Sequence, residues 1–136
     1  MTPTADERFR WPVRVYYEDT DAAGVVYYAN FLRYLERART EWLASLGFTL
    51  TALEHEHGVV FVVHRLDIEY RQPAWLYDAL EVTVGLAARG RSRLVAVQDV
   101  FRGEAQLVRA HVTLACLDPA TWRPARIPAP VVAKMH

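Results

Sequence analysis

The sequence predicts an α+β fold in which one long helix packs against an antiparallel sheet. A single stretch, from about Tyr28 to Leu46, carries apolar residues at three- and four-residue spacing. Most of the remaining chain consists of segments in which apolar and polar residues alternate. Because short turns rather than further helices separate those segments, antiparallel pairing is favoured over parallel pairing.

The first strand and the helix come first along the chain. The strand is expected from Trp11 to Glu18, since Val13, Val15 and Tyr17 then share one face. The apolar stripe of the helix consists of Phe31, Leu35, Ala38, Trp42 and Leu46. Gly47 follows directly, where a helix end commonly needs a residue that tolerates positive φ.

Four more strands are expected after the helix. In chain order they are Val60–Tyr70, Leu80–Ala88, Leu94–Phe101 and Ala105–Leu117. Gly90 and Gly103 fall between neighbouring strands and are expected in hairpin turns. The tail from about residue 119 carries four prolines by residue 130 and is expected to be irregular. Residues 1–136 are therefore expected to form one domain.

Composition limits the kinds of partner. Sixteen basic and sixteen acidic residues give a net charge of zero, which argues against an extended surface for nucleic acid or an anionic membrane. No window approaches the roughly 18 apolar residues of a membrane helix, and no apolar stretch of signal-peptide length lies near the N-terminus. A small-molecule ligand and a cytoplasmic location are expected.

The cysteine and histidine residues do not indicate a metal site. Cys116 is the only cysteine, so an internal disulfide is impossible, and its place in an alternating segment favours a buried apolar role over a catalytic thiol. His55 and His57 lie between glutamates, which is typical of a solvated connection. His64 and His111 interrupt strand patterns, where a hydrogen-bonded structural histidine is the default. No metal or cofactor is expected.

The segment from Tyr16 to Phe31 is the strongest candidate for a functional site. It places three carboxylates, among them Asp21, and then Gly24 directly before the helix. The first N–H groups of a helix have no partner inside it, and the helix dipole favours negative charge there. Such a segment is also compatible with a simple polar turn and helix cap. The run Val25–Tyr28, which is apolar and aromatic, favours a pocket wall instead.

These residues resemble a known family. The runs RWPVRVYYEDTD from Arg10, GVVY from Gly24 and ERARTE from Glu36 are similar to those of the Tol-Pal-associated acyl-CoA thioesterases. That family belongs to the 4-hydroxybenzoyl-CoA thioesterase-like group of hotdog-fold proteins. The resemblance extends from about Phe9 to near the C-terminus. It implies a long helix wrapped by a curved antiparallel sheet, dimers often paired into tetramers, and active sites at the subunit interface.

The resemblance also implies roles for individual residues. By position, Asp21 matches the catalytic carboxylate, the backbone N–H of Tyr28 matches the oxyanion donor, and Gly24 lies in the same motif, with Tyr27 in the pocket wall. Asp21 would attack the thioester carbonyl or activate water as a general base, and the sequence leaves both open. The implied substrate is an acyl-CoA or an acyl-carrier-protein thioester, so coenzyme A is part of the substrate.

A compact basic cluster surrounds the turn at Gly90, near which the family binds the nucleotide end of coenzyme A. The cluster consists of Arg89, Arg91, Ser92 and Arg93. Arginines suit phosphates because they form paired, charge-assisted hydrogen bonds. The alternative is that these charges merely solvate an exposed hairpin end. Arg126 in the tail is a weaker candidate.

Tyr28 stands where the Tol-Pal-associated members usually carry histidine, whereas the hydroxybenzoyl members resemble this chain in having tyrosine. An aromatic acyl group is thereby favoured modestly beside short or medium chains. Two other functions stay open. A hydratase or dehydratase acting on acyl thioesters would require a histidine beside the carboxylate. A non-catalytic binding or interaction protein would have no need of Asp21, so Asp21 and Gly24 together favour hydrolysis.

Overall fold

The computed structural model describes residues 7–135, over which five strands and three helices form. They are β1 (Phe9–Arg14), α1 (Asn30–Ser45), α2 (Leu50–His57), β2 (Val60–Tyr70), β3 (Ala79–Arg89), β4 (Arg93–Arg102), β5 (Ala105–Leu117) and α3 (Ala129–Lys134). The strands pair antiparallel in the order β1-β3-β4-β5-β2. This arrangement confirms the predicted α+β class and the hotdog fold, with α1 as the long helix.

The sheet is built from tight hairpins at its centre and one longer connection. The β4–β5 hairpin turns at Gly103, whose φ of +60° favours glycine. β2 pairs with β5 at one edge, and β1 pairs with β3 at the other. The chain therefore crosses the width of the sheet between β2 and β3, through residues 71–78. Residues 71–78 also support the loop of the candidate site, through contacts with Val25 and Val26.

The predicted apolar stripe of α1 forms the centre of the core. Its buried apolar side chains are Phe31, Tyr34, Leu35, Ala38, Trp42 and Leu43. They pack against β3 and β1 and against the inward face of the sheet. Burying a large apolar side chain contributes roughly 1.5–3 kcal/mol. This face is therefore the main term holding α1 on the sheet.

One polar side chain inside this core fixes how α1 lies on β4. Gln98 is fully buried and accepts a hydrogen bond from Arg39 Nη1 at 3.0 Å. Its amide nitrogen donates to the Leu35 carbonyl of α1 at 3.1 Å and to the Thr83 carbonyl of β3 at 3.5 Å. Burial lowers the pKa of Arg39, and the charge of Glu36 opposes that shift. Gln98 thus joins α1, β3 and β4.

The first strand ends earlier than predicted. β1 stops at Arg14, and the expected continuation to Glu18 is wrong because residues 17–19 form a single 3₁₀ turn. The Asp19 N–H donates to the Tyr16 carbonyl at 3.0 Å, and the Asp19 carboxylate accepts the Tyr16 N–H at 2.9 Å. These bonds replace strand pairing. Tyr17 consequently lies on the surface, 82% exposed, instead of sharing a face with Val13.

Two helices occupy segments for which no helix was predicted. The connection that carries His55 and His57 is α2, whose first turn is capped by Thr49 Oγ1, which accepts the Ala52 N–H at 3.1 Å. Gly58 ends α2 with a φ of +65°. In the tail, residues 119–128 form no helix or strand, as expected. Α short helix, α3, then follows, with proline at its first turn, where the missing N–H costs nothing.

The remaining polar residues of the strands have ordinary surroundings. His64 and His111 are exposed, and within residues 7–135 neither side chain makes a hydrogen bond, so the expected role of a hydrogen-bonded structural histidine is wrong for both. His64 lies at a register shift between β2 and β5, which turns its side chain outward. Cys116 is buried as predicted, and burial raises the pKa of its thiol to about 11.

The replacement of Gln98 tests its role as a junction. Gln98→Leu removes the acceptor of the buried Arg39 guanidinium and the donor to two carbonyls. We expect the free energy of unfolding to fall by about 2–3 kcal/mol in chemical denaturation. Gln72→Leu makes the same chemical change at an exposed position, and its effect should stay within about 0.5 kcal/mol. Equal effects at the two positions would contradict this account.

Candidate active site

Asp21 lies on a tight turn between the end of the 3₁₀ turn and the start of α1. Its N–H donates to the Val25 carbonyl at 2.9 Å, and its own carbonyl accepts the Gly24 N–H at 3.0 Å. One carboxylate oxygen accepts the Ala23 N–H at 2.8 Å. Gly24 has a φ of +82°, which closes the turn. The Asp21 side chain is therefore held at the surface in a defined orientation while its second oxygen stays open to solvent.

The connection between β2 and β3 supports this turn. The Val26 N–H donates to the Ala74 carbonyl at 2.8 Å, and the loop also pairs with Trp75. Asp78 stabilises the connection, because its carboxylate accepts the Trp75 N–H and Arg102 Nη1, both at 2.9 Å. The candidate loop thus rests on residues some 50 positions away in the sequence, a dependence that no local pattern showed.

The segment that leads from Asp21 into α1 ends with two N–H groups that have no acceptor. The Asn30 N–H donates to the Tyr27 carbonyl at 2.8 Å, and the Phe31 N–H to the Tyr28 carbonyl at 3.3 Å. Within residues 7–135, the N–H groups of Tyr28 and Ala29 have no hydrogen-bond partner. Ala29 occupies the cap position, where it offers no capping side chain. An incoming oxygen with negative charge would find both the free donors and the positive end of the helix dipole here.

Asp19 is the buried carboxylate of the loop. It is 5% exposed and accepts the Asn30 side-chain amide at 2.9 Å as well as the Tyr16 N–H. Burial opposes its ionisation, yet these hydrogen bonds, the neighbouring Tyr34 and the charge of Arg37 hold its pKa below the ordinary value. The Tyr34 hydroxyl is buried beside it without the geometry of a hydrogen bond. Burial, followed by the Asp19 charge, raises the pKa of Tyr34.

An aromatic wall borders the helix start. The ring centroids of Tyr27 and Tyr28 lie 4.9 Å apart, and those of Tyr28 and Tyr70 lie 6.0 Å apart, edge to face. The Tyr70 hydroxyl donates to the Tyr28 carbonyl at 3.0 Å, and its ring also contacts Phe31. Tyr28 is 61% exposed. The wall can therefore contact a ligand placed next to the free N–H groups.

The basic turn forms a separate cavity. Arg89 and Arg91 line a cavity of about 470 Å³ together with Arg126 from the tail. The apolar residues of its wall are Ile127, Ala129, Val132 and Ala133. Ser92 and Arg93 do not line this cavity; Ser92 instead accepts the Cys116 N–H with its carbonyl. The structure thus brings two of the four predicted residues together with Arg126.

Sequence reasoning missed the residues that hold the site in place. Asn30 and Tyr70 were assigned no role, because their contacts join segments that are distant in sequence. Among residues 7–135, no group of three acidic, histidine or cysteine side chains could hold a metal ion. No helix in that range is long and apolar enough to cross a membrane.

Known proteins are similar to this chain over almost its whole length. The model of the thioesterase-like superfamily matches residues 15–135. The acyl-CoA thioester hydrolase YbgC of Escherichia coli O6:H1 is 44% identical over 127 residues, which cover 93% of this chain and 94% of the relative. The acyl-CoA thioesterase YbgC of Haemophilus influenzae is 42% identical over 131 residues and 96% of each chain. Among solved structures, a probable thioesterase from Bartonella henselae has a TM-score of 0.85 at 33% identity, covering 89% of this chain and 99% of its own.

Gly24 offers a test of the turn that is independent of any ligand. No atom lies within 4 Å of a Cβ built at this position, so only the positive φ resists a side chain. We expect Gly24→Ala to lower the free energy of unfolding by about 1 kcal/mol, and Gly24→Asn to lower it less, since asparagine tolerates the left-handed region. Gly90 has no such φ, so Gly90→Ala should change stability by less than about 0.5 kcal/mol. A similar loss of stability at both glycines would contradict a cost that arises from the positive φ of Gly24.

Proposed function

The chain belongs to the thioesterase-like superfamily and is an acyl-CoA thioester hydrolase, and we propose that Asp21 and the backbone N–H of Tyr28 perform its chemistry. One observation carries the proposal: an exposed, oriented carboxylate lies on the turn directly before a helix start with free N–H groups. Acyl transfer requires a group that attacks or activates water and a donor for the oxyanion. Both are present within eight residues.

The reaction follows from this arrangement. The thioester carbonyl oxygen binds at the Tyr28 and Ala29 N–H groups, which stabilise the negative charge that develops on it. Asp21 either attacks the carbonyl carbon, releasing coenzyme A thiolate and leaving a mixed anhydride that water cleaves, or removes a proton from the attacking water. Both routes convert thioester and water into acid and thiol. A thiolate leaves readily, so neither route uses a cofactor.

The two ends of the substrate meet different surfaces in this proposal. Arg89, Arg91 and Arg126 present three guanidinium groups around one cavity, which suits the phosphates of coenzyme A, while its apolar wall suits the adenine ring. The acyl group lies against the exposed rings of Tyr27 and Tyr28. A short or medium acyl chain and an aromatic acyl group both fit such a wall. An acyl-carrier protein would present the same thioester without the nucleotide.

The sheet edge at β2 supports self-association. β2 is an 11-residue edge strand with Val63 53% exposed, and an uncovered edge of this length favours pairing with another strand. We propose that a second copy of the chain pairs there, which gives a homodimer, or a homotetramer where two such dimers associate. The free thiol of Cys116 suits a reducing compartment, so the cytoplasm is the proposed location.

The first test compares two aspartates with the same local geometry. Asp118 accepts the Ala120 N–H at 2.8 Å, as Asp21 accepts the N–H two residues after it. Asparagine can keep this bond at either position. We expect Asp21→Asn to lower kcat for acyl-CoA by about 100- to 10,000-fold and Asp118→Asn to leave it unchanged, measured as thiol release from short, medium and aromatic acyl-CoAs.

Two outcomes would contradict the proposal. If Asp21→Asn turns over as fast as the wild type, the Asp21 mechanism is wrong. If the wild type binds acyl-CoA but releases no thiol, the result favours a hydratase or a non-catalytic binding protein instead. Circular dichroism and gel filtration of both variants establish that the fold and the oligomer are retained.

A second test addresses the basic cavity. Arg126 lines it, whereas Arg123, three residues earlier, is exposed and does not. We expect Arg126→Gln to raise KM for acyl-CoA about tenfold, the equivalent of one charge-assisted contact, and Arg123→Gln to leave KM unchanged. Acyl-pantetheine lacks the nucleotide, so neither variant should change its KM. An equal rise in KM for acyl-CoA and acyl-pantetheine would contradict a nucleotide site here.

A further inference from the structure

Asp19 has no part in the proposed reaction, yet it is the most extensively bonded side chain of the loop. Its carboxylate accepts the Tyr16 N–H and the Asn30 side-chain amide, both at 2.9 Å. Its backbone carbonyl accepts the Tyr27 N–H at 3.0 Å. One buried residue therefore contacts the chain before the turn, the chain after it, and the first residue of α1.

Asn30 connects Asp19 to the peptide that carries the oxyanion donor. The Asn30 N–H donates to the Tyr27 carbonyl at 2.8 Å. The Tyr27 carbonyl and the Tyr28 N–H belong to one planar peptide unit, and they point in opposite directions across it. A bond that fixes the carbonyl thus fixes the direction of the Tyr28 N–H. The side chain of the same residue donates to Asp19 at 2.9 Å, so Asn30 is held both at its backbone and at its side chain next to this peptide.

The contact differs from an ordinary helix cap. A polar side chain at the cap position would accept hydrogen bonds from the N–H groups of the first turn. Here the cap residue is Ala29, and the Asp19 carboxylate accepts from a side-chain amide and from Tyr16 instead. The start of α1 is held through the side chain of Asn30 and not through the N–H groups of the first turn. Its free N–H groups are thereby left available for a substrate oxygen.

We propose that Asp19 and Asn30 form a positioning clamp that aims the Tyr28 N–H at the oxyanion of the thioester. The inference rests on the proposed function, since it assigns these residues to the orientation of its donor. A misaligned donor weakens stabilisation of the transition state more than binding of the ground state. The clamp therefore acts on kcat.

Exchanging the two side chains tests the clamp. Asp19→Asn places an amide against the Tyr16 N–H or the Asn30 amide, so one donor loses its acceptor. Asn30→Asp sets two carboxylates against each other. In the double variant, the new amide at position 19 can accept from Tyr16 and donate to the new carboxylate at position 30, which restores both contacts.

We expect each single variant to lower kcat on the order of 10- to 100-fold with KM within about threefold of wild type, and the double variant to recover kcat to within about fivefold of wild type. Asn30→Ala deletes only the amide and should lower kcat about tenfold. This variant tests the clamp if Asp19→Asn does not fold. Val112→Ala, a buried substitution in β5, controls for lost stability and should leave kcat unchanged when assayed well below its melting temperature.

The possible failures are distinguishable. If wild type shows no turnover, or if Asp21→Asn is fully active, the proposed function fails and the clamp fails with it. If wild type turns over in an Asp21-dependent way but the single variants keep their kcat, only the clamp is overturned. A change confined to KM also overturns the clamp. The same holds if the kcat of the double variant is no higher than that of the less active single variant.

Discussion

At the start of α1 the N–H groups of Tyr28 and Ala29 have no hydrogen-bond partner within residues 7–135, so the packing of the helix has to hold an uncapped end in place. A helix end without a capping side chain is less stable by about 1 kcal/mol, and the proposed function requires this end to stay in one place. The apolar stripe of α1 offsets that cost, since each large side chain buried on the sheet contributes more than the missing cap. The open end can be tolerated because the body of the helix is anchored elsewhere.

Two buried polar side chains fix the position of α1 more closely than apolar packing alone. Gln98 joins the middle of α1 to β3 and β4, and Asp19 joins its beginning to the preceding turn. Packing of aliphatic side chains permits small sliding movements, whereas hydrogen bonds inside a core are short and directional. These two junctions therefore fix the lie of α1 more closely than the hydrophobic stripe alone would.

The sequence predicted the parts of the fold that have their own period and missed the parts set by distant contacts. The stripe from Phe31 to Trp42 and the alternation in β3, β4 and β5 are local signals, and the structure follows them. The early end of β1 comes from the Asp19 side chain, which competes with strand pairing. α2 was not predicted, although Thr49 and Gly58 are typical helix boundaries, because its eight residues bury only Leu53 and show no apolar stripe.

The candidate site shows the same division. The motif around Asp21 and Gly24 predicted the loop, and the start of α1 predicted the N–H groups that the structure leaves without an acceptor within residues 7–135. The pairing of Arg126 with the turn at Gly90 depends on how the tail returns over β4 and β5, where the Ile127 N–H donates to the Arg91 carbonyl at 2.9 Å. Arg126 was only a weaker candidate from the sequence, because no spacing rule links it to a turn 36 residues earlier, and the folded chain places it in the same cavity as Arg89 and Arg91.

The burial of Cys116 has a consequence for a protein that handles activated acyl groups. A thiolate within reach of acyl-CoA would be acylated by its own substrate, and the protein would accumulate a dead-end thioester. Burial raises the pKa of Cys116 to about 11, which disfavours the thiolate at neutral pH, and the thiol contacts the Arg126 carbonyl inside the fold. The strand that builds the sheet thus also protects the protein from self-modification.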